Sequence, residues 1–292
     1  MTQQSLEGDC PPLSLLEKAA RVMSAFSSTD PRLTLTEVVE RSGVPRSSAH
    51  RILDQLMQLR WLEREGRDYR LGMGMLELGA LASHHHRLRR AALPHLHDLH
   101  ESTGHLVHLS VLDDAEVVVV ERIGGAMDTA VPSRVGGRLP AYCTAAGKAI
   151  LAFSDDALVE QVIRRGLRAR TPRTVSRPQG LRSELLAARD RGAAFDREES
   201  YRGVSCVAVP LRGAGRAIAA VSLSGNGTHR ELDRLVPAVA DCARAVWQSL
   251  FGPGRRSGRP ARPPRAAAPT GPRLSAAAMD NTLAWIRDSE WL

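Results

Sequence analysis

Residues 33–57 read LTLTEVVERSGVPRSSAHRILDQLM, and two helix signatures stand back to back in that stretch. Thr34 and Glu37 have the three-residue spacing of a capping box, and Leu33 and Val38 stand where a hydrophobic staple belongs. A short helix therefore starts at Thr34, and Ser42-Gly43 closes it, because glycine readily takes the left-handed conformation that ends a helix. A second helix follows almost at once, with Pro45 tolerated in its first turn. Its apolar stripe is Ala49, Ile52, Leu53, Leu56 and Met57. Two short helices joined by a glycine turn make a helix-turn-helix.

Upstream, residues 14–28 carry a helical stripe of Leu15, Ala19, Val22 and Phe26, ended by Asp30-Pro31. Downstream the period shortens. Trp61–Arg64, the turn Glu65-Gly66-Arg67-Asp68 and Tyr69-Arg70-Leu71 read as a β-hairpin. Three helices and a hairpin within 13–72 give a winged helix-turn-helix. The helical segment at 73–88, within a linker spanning 73–90, is apolar on more than one side through Met75, Leu76, Leu78 and Leu81. Such a helix must bury against another surface, and pairing with a second copy is the natural reading.

Residues 91–251 mix periods. Helices are expected at about 92–103, from Thr144, over 180–191 and after the capping box Thr228-His229-Arg230-Glu231. Strands are expected at His105–Leu112, Glu116–Arg122, Ala194–Asp196, Ser205–Leu211 and Ile218–Leu223. Strands outnumber crossover helices, so the fold class is α+β with an antiparallel sheet. Residues 1–12 are polar, and 252–274 are rich in arginine and proline; neither stretch can bury a core, and both are expected to be disordered. Residues 275–292 regain helical character.

A chain of 292 residues suits two domains. The formal net charge is +8, of which a net +4 lies in 252–292, and it points weakly towards a polyanionic partner. The arginines of that tail suit either an electrostatic arm on DNA or a solvated linker. No apolar run is long enough for a transmembrane helix, and the N-terminus lacks the basic and apolar regions of a secretory signal. Four cysteines with no CxxC pair form neither a disulfide framework nor a zinc knuckle. A cytoplasmic protein with reduced thiols and no membrane partner is expected.

Three groups of residues could carry chemistry. The far side of the second helix of the pair presents Ser47, Ser48, Arg51, Asp54 and Gln55, with Arg46 and His50 at its edges, and the wing adds Arg64 and Arg67. Serine and arginine reach phosphates, and arginine or glutamine reads base edges in the major groove, so this face is assigned to double-stranded DNA. The second group, Cys143-Thr144-Ala145-Ala146-Gly147-Lys148-Ala149, places small residues at a helix start; this suits an anion site or tight packing of helix on sheet. A P-loop is excluded, because its spacing needs a glycine at Tyr142 and a hydroxyl at Ala149. The third group is Asp196, Cys206, Ser222 and Ser224 on otherwise apolar strands, read either as satisfied core groups or as a polar cluster. The many histidines lack the i, i+4 pair with glutamate that zinc proteases use, and Gly213-Ala214-Gly215 joins two strands and opens no helix. No metal, cofactor or catalytic residue is therefore assigned.

The order of these parts resembles the IclR family of transcriptional regulators over about residues 13–251. The N-terminal match runs from Ser14-Leu15-Leu16-Glu17-Lys18-Ala19 through Gly43–Leu53 to Tyr69-Arg70-Leu71-Gly72. The C-terminal match comprises Leu139–Ala149, Arg191-Gly192 with Asp196, Glu198 and Glu199, then Gly203–Ala208 and Val221–Gly225. The resemblance implies a winged helix joined to a GAF-like effector domain, assembled as a homodimer or dimer of dimers. It implies a pocket lined by Val131, Ala145, Ala146, Asp196, Val204, Cys206, Ser222 and Ser224, taking a small organic or aromatic carboxylic acid. By family habit the protein is a repressor rather than an activator. Two departures stand out. Ser200-Tyr201 replaces a Glu-His pair common in the family and touches the pocket rim, and Ala145 narrows the anion site. An enzyme using Cys143 and Cys206 is the alternative, but thiol chemistry has no use for a winged helix.

Overall fold

The computed structural model describes residues 13–27, 30–124, 133–213, 215–225 and 229–252. Three helices and a small sheet come first. Helix α1, Leu15–Ser24, and helix α2, Leu35–Ser42, both open on capping boxes, Ser14 with Glu17 and Thr34 with Glu37. Gly43 ends α2 at φ 65°, a conformation a side chain would strain. Helix α3 spans Arg46–Gln58; Pro45 is its N-cap rather than part of its first turn. The wing is strands β2, Leu62–Glu65, and β3, Asp68–Leu71. A third strand, β1 at Arg32–Thr34, joins β3 antiparallel, with Leu33 opposite Tyr69. Sequence periodicity missed it because three residues show no alternation; Leu33 is a buried strand residue that also precedes the α2 cap. Val22, Leu33, Val38, Ile52, Leu53, Leu62 and Tyr69 share one core.

Helix α4, Met73–His85, breaks before helix α5, Arg87–Thr103, so the first helix is shorter and the second begins earlier than the periodicity suggested. His86 is the cause: its backbone is extended and its ring accepts the Arg89 N–H, capping α5. Met73, Leu76, Leu78 and Leu81 of α4 remain exposed.

Strands β4, Leu106–Asp113, and β5, Glu116–Ile123, lead to the short strand β6, Arg138–Pro140. A 3-10 turn at Ala141–Cys143 feeds helix α6, Ala145–Leu151, and helices α7, Asp156–Arg164, and α8, Pro178–Arg191, follow. Strands β7, Ala194–Arg197, β8, Ser205–Gly213, and β9, Arg216–Gly225, precede helix α9, His229–Phe251. The six strands form one antiparallel sheet in the order β6-β5-β4-β9-β8-β7. Strand β6 and helix α7 are additions to the sequence-based expectation.

The sheet separates two cores because side chains alternate along each strand. Val107, Leu109, Val207, Val221 and Leu223 pack on α5 and α9 through Leu96, Leu99, Leu232, Val239 and Val246. Ala194, Ala208, Ala220 and Val117 face α6, α7 and α8 through Ala149, Ile150, Val162, Leu181 and Leu185. Small residues on this second face let α6 lie close. A Cβ on Gly147 would sit 2.2 Å from the Ala141 carbonyl oxygen, so only glycine fits there. Val131, residues 1–12 and the segments 253–274 and 275–292 fall outside the described residues, as does Thr228 of the expected α9 capping box. Among the described residues no helix is long and apolar enough to cross a membrane, and no group of histidine, cysteine and carboxylate side chains is placed to hold a metal.

Candidate functional site

Helix α3 buries Ala49, Ile52, Leu53 and Leu56, which turns Arg46, Ser47, His50, Arg51 and Gln55 to solvent and leaves Ser48 half-buried. Two of these residues are tethered. Arg46 Nη1 donates to Thr36 Oγ1 at 3.2 Å, and His50 Nδ1 lies 3.0 Å from Asp54 Oδ2. In the wing, Arg64 Nε donates to the Gly66 carbonyl at 3.0 Å and the guanidinium stacks over Tyr69, while Arg67 is exposed at the turn. Ser47, Arg51, Gln55 and Arg67 are thus the exposed members of this set for which no intramolecular bond is assigned.

The second site is a cavity of about 50 Å³ between the sheet and α6. Its wall includes Ala145 and Ala146 of α6, Asp196 of β7, Val204 and Cys206, and Ser222 and Ser224 of β9. Strand register aligns this wall: Asp196 pairs with Cys206, and Cys206 with Ser224, across three adjacent strands. Thr144 Oγ1 accepts the Gly147 N–H at 3.2 Å and caps α6. The first N–H groups of any helix lack intrahelical partners, and here they belong to Ala145 and Ala146. Ser200 and Tyr201 also line the cavity, as the departure from the family pattern suggested.

Lys148 is not in that wall. It is fully buried, and its Nζ bonds Glu199 Oε1 at 2.6 Å and lies 3.5 Å from Glu184 Oε2. Glu199 sits in the loop that carries Ser200 and Tyr201, so this ion pair ties α6 to the cavity rim.

Comparison with known proteins matches residues 15–66 to the IclR helix-turn-helix domain and residues 80–248 to the bacterial transcriptional regulator IclR C-terminal domain. The chain belongs to the IclR family of transcriptional regulators. It is 34% identical to the glycerol operon regulatory protein of Streptomyces coelicolor, over 82% of this chain and 97% of that one. It is 29% identical to the transcriptional repressor IclR of Escherichia coli, over 72% and 79%. An IclR homologue from Microbacterium hydrocarbonoxydans, crystallised in complex with 4-hydroxybenzoate, superposes with a TM-score of 0.74 at 29% identity, over 81% of this chain and 99% of that one. Members of the family are DNA-binding, ligand-responsive regulators rather than enzymes.

The thiols of this IclR-family regulator agree with that class. Burial, with Asp196 adding to it, pushes the Cys143 thiol up to about 12, and burial pushes Cys206 higher still. Neither forms the thiolate that nucleophilic or redox chemistry needs at neutral pH. Sequence reasoning missed His108, Ser110 and Ser133 as cavity residues. His108 and Ser110 alternate with Val107 and Leu109 on β4, the same polar-on-apolar pattern that Ser222 and Ser224 show on β9.

Asp196 gives a pH prediction. Burial raises its carboxyl from 3.8 to about 6, against bonds from the Ser200 hydroxyl and the Glu199 N–H that favour the charged form. A raised folded pKa means the group's stabilisation is complete below pH 3.8 and is lost as pH rises to about 6 and above. Asp196→Asn keeps the shape without the buried charge. It is expected to be more stable than the parent at pH 8, by up to ~3 kcal/mol for a shift of about two units, and to lose this part of the pH dependence. Denaturant titrations at pH 5 and pH 8 check it; a variant less stable than the parent at pH 8 contradicts it.

Proposed function

We propose that the chain is a cytoplasmic repressor that releases its operator on binding a small organic or aromatic carboxylic acid. In this reading residues 13–72 bind DNA, 73–90 link and pair two copies, and 91–251 hold the acid. The carrying observation is the single cavity into which Ala145, Ala146, Asp196, Val204, Cys206, Ser222 and Ser224 converge. The carboxylate sits on the N–H groups that open α6, where the helix dipole adds to their attraction. Val204 and the remaining lining, Val117, Val119 and Leu139 among it, cover an apolar body. Repressor action is supported by the likeness to the E. coli repressor, and an aromatic acid by the likeness to the 4-hydroxybenzoate complex.

A ligand shifts a regulator only by binding one arrangement better than another. Ser133 of the cavity is followed by Arg134, which lines a cleft with Phe26, Arg32, Arg70 and Leu71 of the winged helix, so a change at the cavity has a short route to the DNA-binding elements. The exposed leucines of α4 fit a second copy. Leu78→Asp is expected to lower the association state in sedimentation, and a parent protein that stays monomeric at micromolar concentration would remove the pairing.

On the DNA face, Arg51→Ala is expected to weaken operator binding by ~1–3 kcal/mol and relax specificity at one base position. Arg67→Ala is expected to weaken binding with little dependence on sequence. Gel-shift titrations on operator and scrambled DNA, with and without a panel of acids, test both halves of the proposal. Unchanged affinity in both variants, or an operator complex that no acid disturbs, argues against it.

A further inference from the structure

The cavity contains a hydrogen-bonded row that the family resemblance did not supply. Arg122 Nε donates to Ser133 Oγ at 3.3 Å, and Ser133 Oγ lies 2.7 Å from His108 Nε2. His108 Nδ1 lies 3.4 Å from Ser224 Oγ, and Ser224 Oγ lies 3.1 Å from Cys206 Sγ. The row starts at a guanidinium on β5 and crosses β4 and β9 to β8. His108 is its centre and is buried.

The direction of the row follows from its first member. A guanidinium can only donate, so Ser133 accepts from Arg122. If Ser133 also accepted from an imidazole N–H, its own proton would face no acceptor assigned among the described residues. An N–H aimed towards the cation would also be repelled by it, whereas a nitrogen lone pair is attracted. Ser133 therefore donates to Nε2. The ring is neutral, because burial, assisted by Arg122, lowers its pKa from 6.5 to about 4. A neutral ring with a bare Nε2 carries its proton on Nδ1, and that proton goes to Ser224.

From this geometry we infer that His108 is a specificity-determining residue of the cavity: it donates to Ser224 Oγ, so the Ser224–Cys206 pair, which spends one of its two protons on the bond between them, presents the other to the ligand as a hydrogen-bond donor. The inference rests on the cavity being the acid's site and adds the chemistry of the ligand's far end. That end must carry an acceptor oxygen, such as a phenol or carbonyl oxygen. A purely apolar end, or one that donates without accepting, leaves that proton unpaired, and a site built to hydrogen-bond rejects analogues that cannot answer it.

Two measurements on the full-length protein test this. Nitrogen NMR of the His108 ring is expected to show the proton on Nδ1, a bare Nε2 and no protonation between about pH 8 and pH 5.5. A proton on Nε2, or titration near the ordinary value, overturns the inference. Calorimetry then compares 4-hydroxybenzoate with 4-aminobenzoate, which has nearly the same shape but an amino group that accepts poorly. The parent is expected to prefer the hydroxy acid by about tenfold or more. His108→Leu is expected to bring the ratio to about one, and His108→Asn, whose amide replaces the Nδ1 donor, to keep it. A parent that binds both acids equally, or a leucine variant that keeps the preference, overturns the role of His108 alone. A parent that binds neither acid overturns the aromatic-acid reading of the cavity and this role with it.

Discussion

Lys148→Met is expected to unfold about 3–5 kcal/mol more easily than the parent, the cost of leaving a buried carboxylate without its partner. Lys148 has no solvent exposure and Glu199 only 4% at the side chain, so water cannot replace the lost bond. Glu199 Oε2 already lacks a hydrogen-bond partner among the described residues, which leaves the carboxylate dependent on Lys148 and the Arg197 N–H. For a chain of this size the melting temperature should fall by about 6–20 °C. Adding Glu199→Gln removes the stranded charge and is expected to restore more than half of the loss. Denaturant titration of the single and double variants decides the point. A single variant within 1 kcal/mol of the parent, or a double variant no better than the single, contradicts the account. The loop holding Ser200 and Tyr201 depends on the same pair, so the single variant should also respond more weakly to ligand.

Ala146→Trp is expected to abolish the ligand response, with affinity for any responsive acid falling at least about a hundredfold, ~2.7 kcal/mol, while operator binding persists. Ala146 opens α6 and forms part of the cavity wall, so an indole there occupies the space in which the acid would lie. Overpacking costs about 1–3 kcal/mol, which the domain must tolerate for the test to be clean; a thermal melt run beside the binding assay shows whether it does. The milder Ser224→Ala leaves the wall in place and should weaken binding by ~1 kcal/mol, the usual cost of one neutral hydrogen bond. A folded Ala146→Trp protein that still responds normally to the same acid places the ligand elsewhere.

The helix-turn-helix was legible because its signals are local. Thr34 with Glu37 and Gly43 fix both ends of one helix within ten residues, and the stripe from Ala49 to Leu56 fixes the buried face of the next. Gly192 ends α8 by the same local device, left-handed at φ 70°. Strands β1 and β6 were invisible because three residues carry no period, and they exist only because a neighbouring strand offers its edge. Among the cavity residues, Ser222 and Ser224 could be seen to share a strand face, and the IclR motifs pointed to Ala145, Ala146, Asp196 and Cys206. His108 carries the same alternation on β4, but that it meets Ser224, more than a hundred residues away, is decided by the order of strands in the sheet, and Ser133 lies in no strand and joins the row only through His108.

Lys148 shows where the boundary lies. Its sequence context, a lysine among small residues at a helix start, was compatible with an anion site. Only the fold directs it away from the cavity and onto Glu199 of the β7–β8 loop, where the two groups are buried together with Nζ 2.6 Å from Oε1. The sequence by itself determined the three helices of the winged helix-turn-helix, the capping box and glycine stop of α2, and the family motifs, which rest on residues a few positions apart. Tertiary structure alone decided which polar groups face one another, because burial and pairing depend on distances in space that no local pattern encodes.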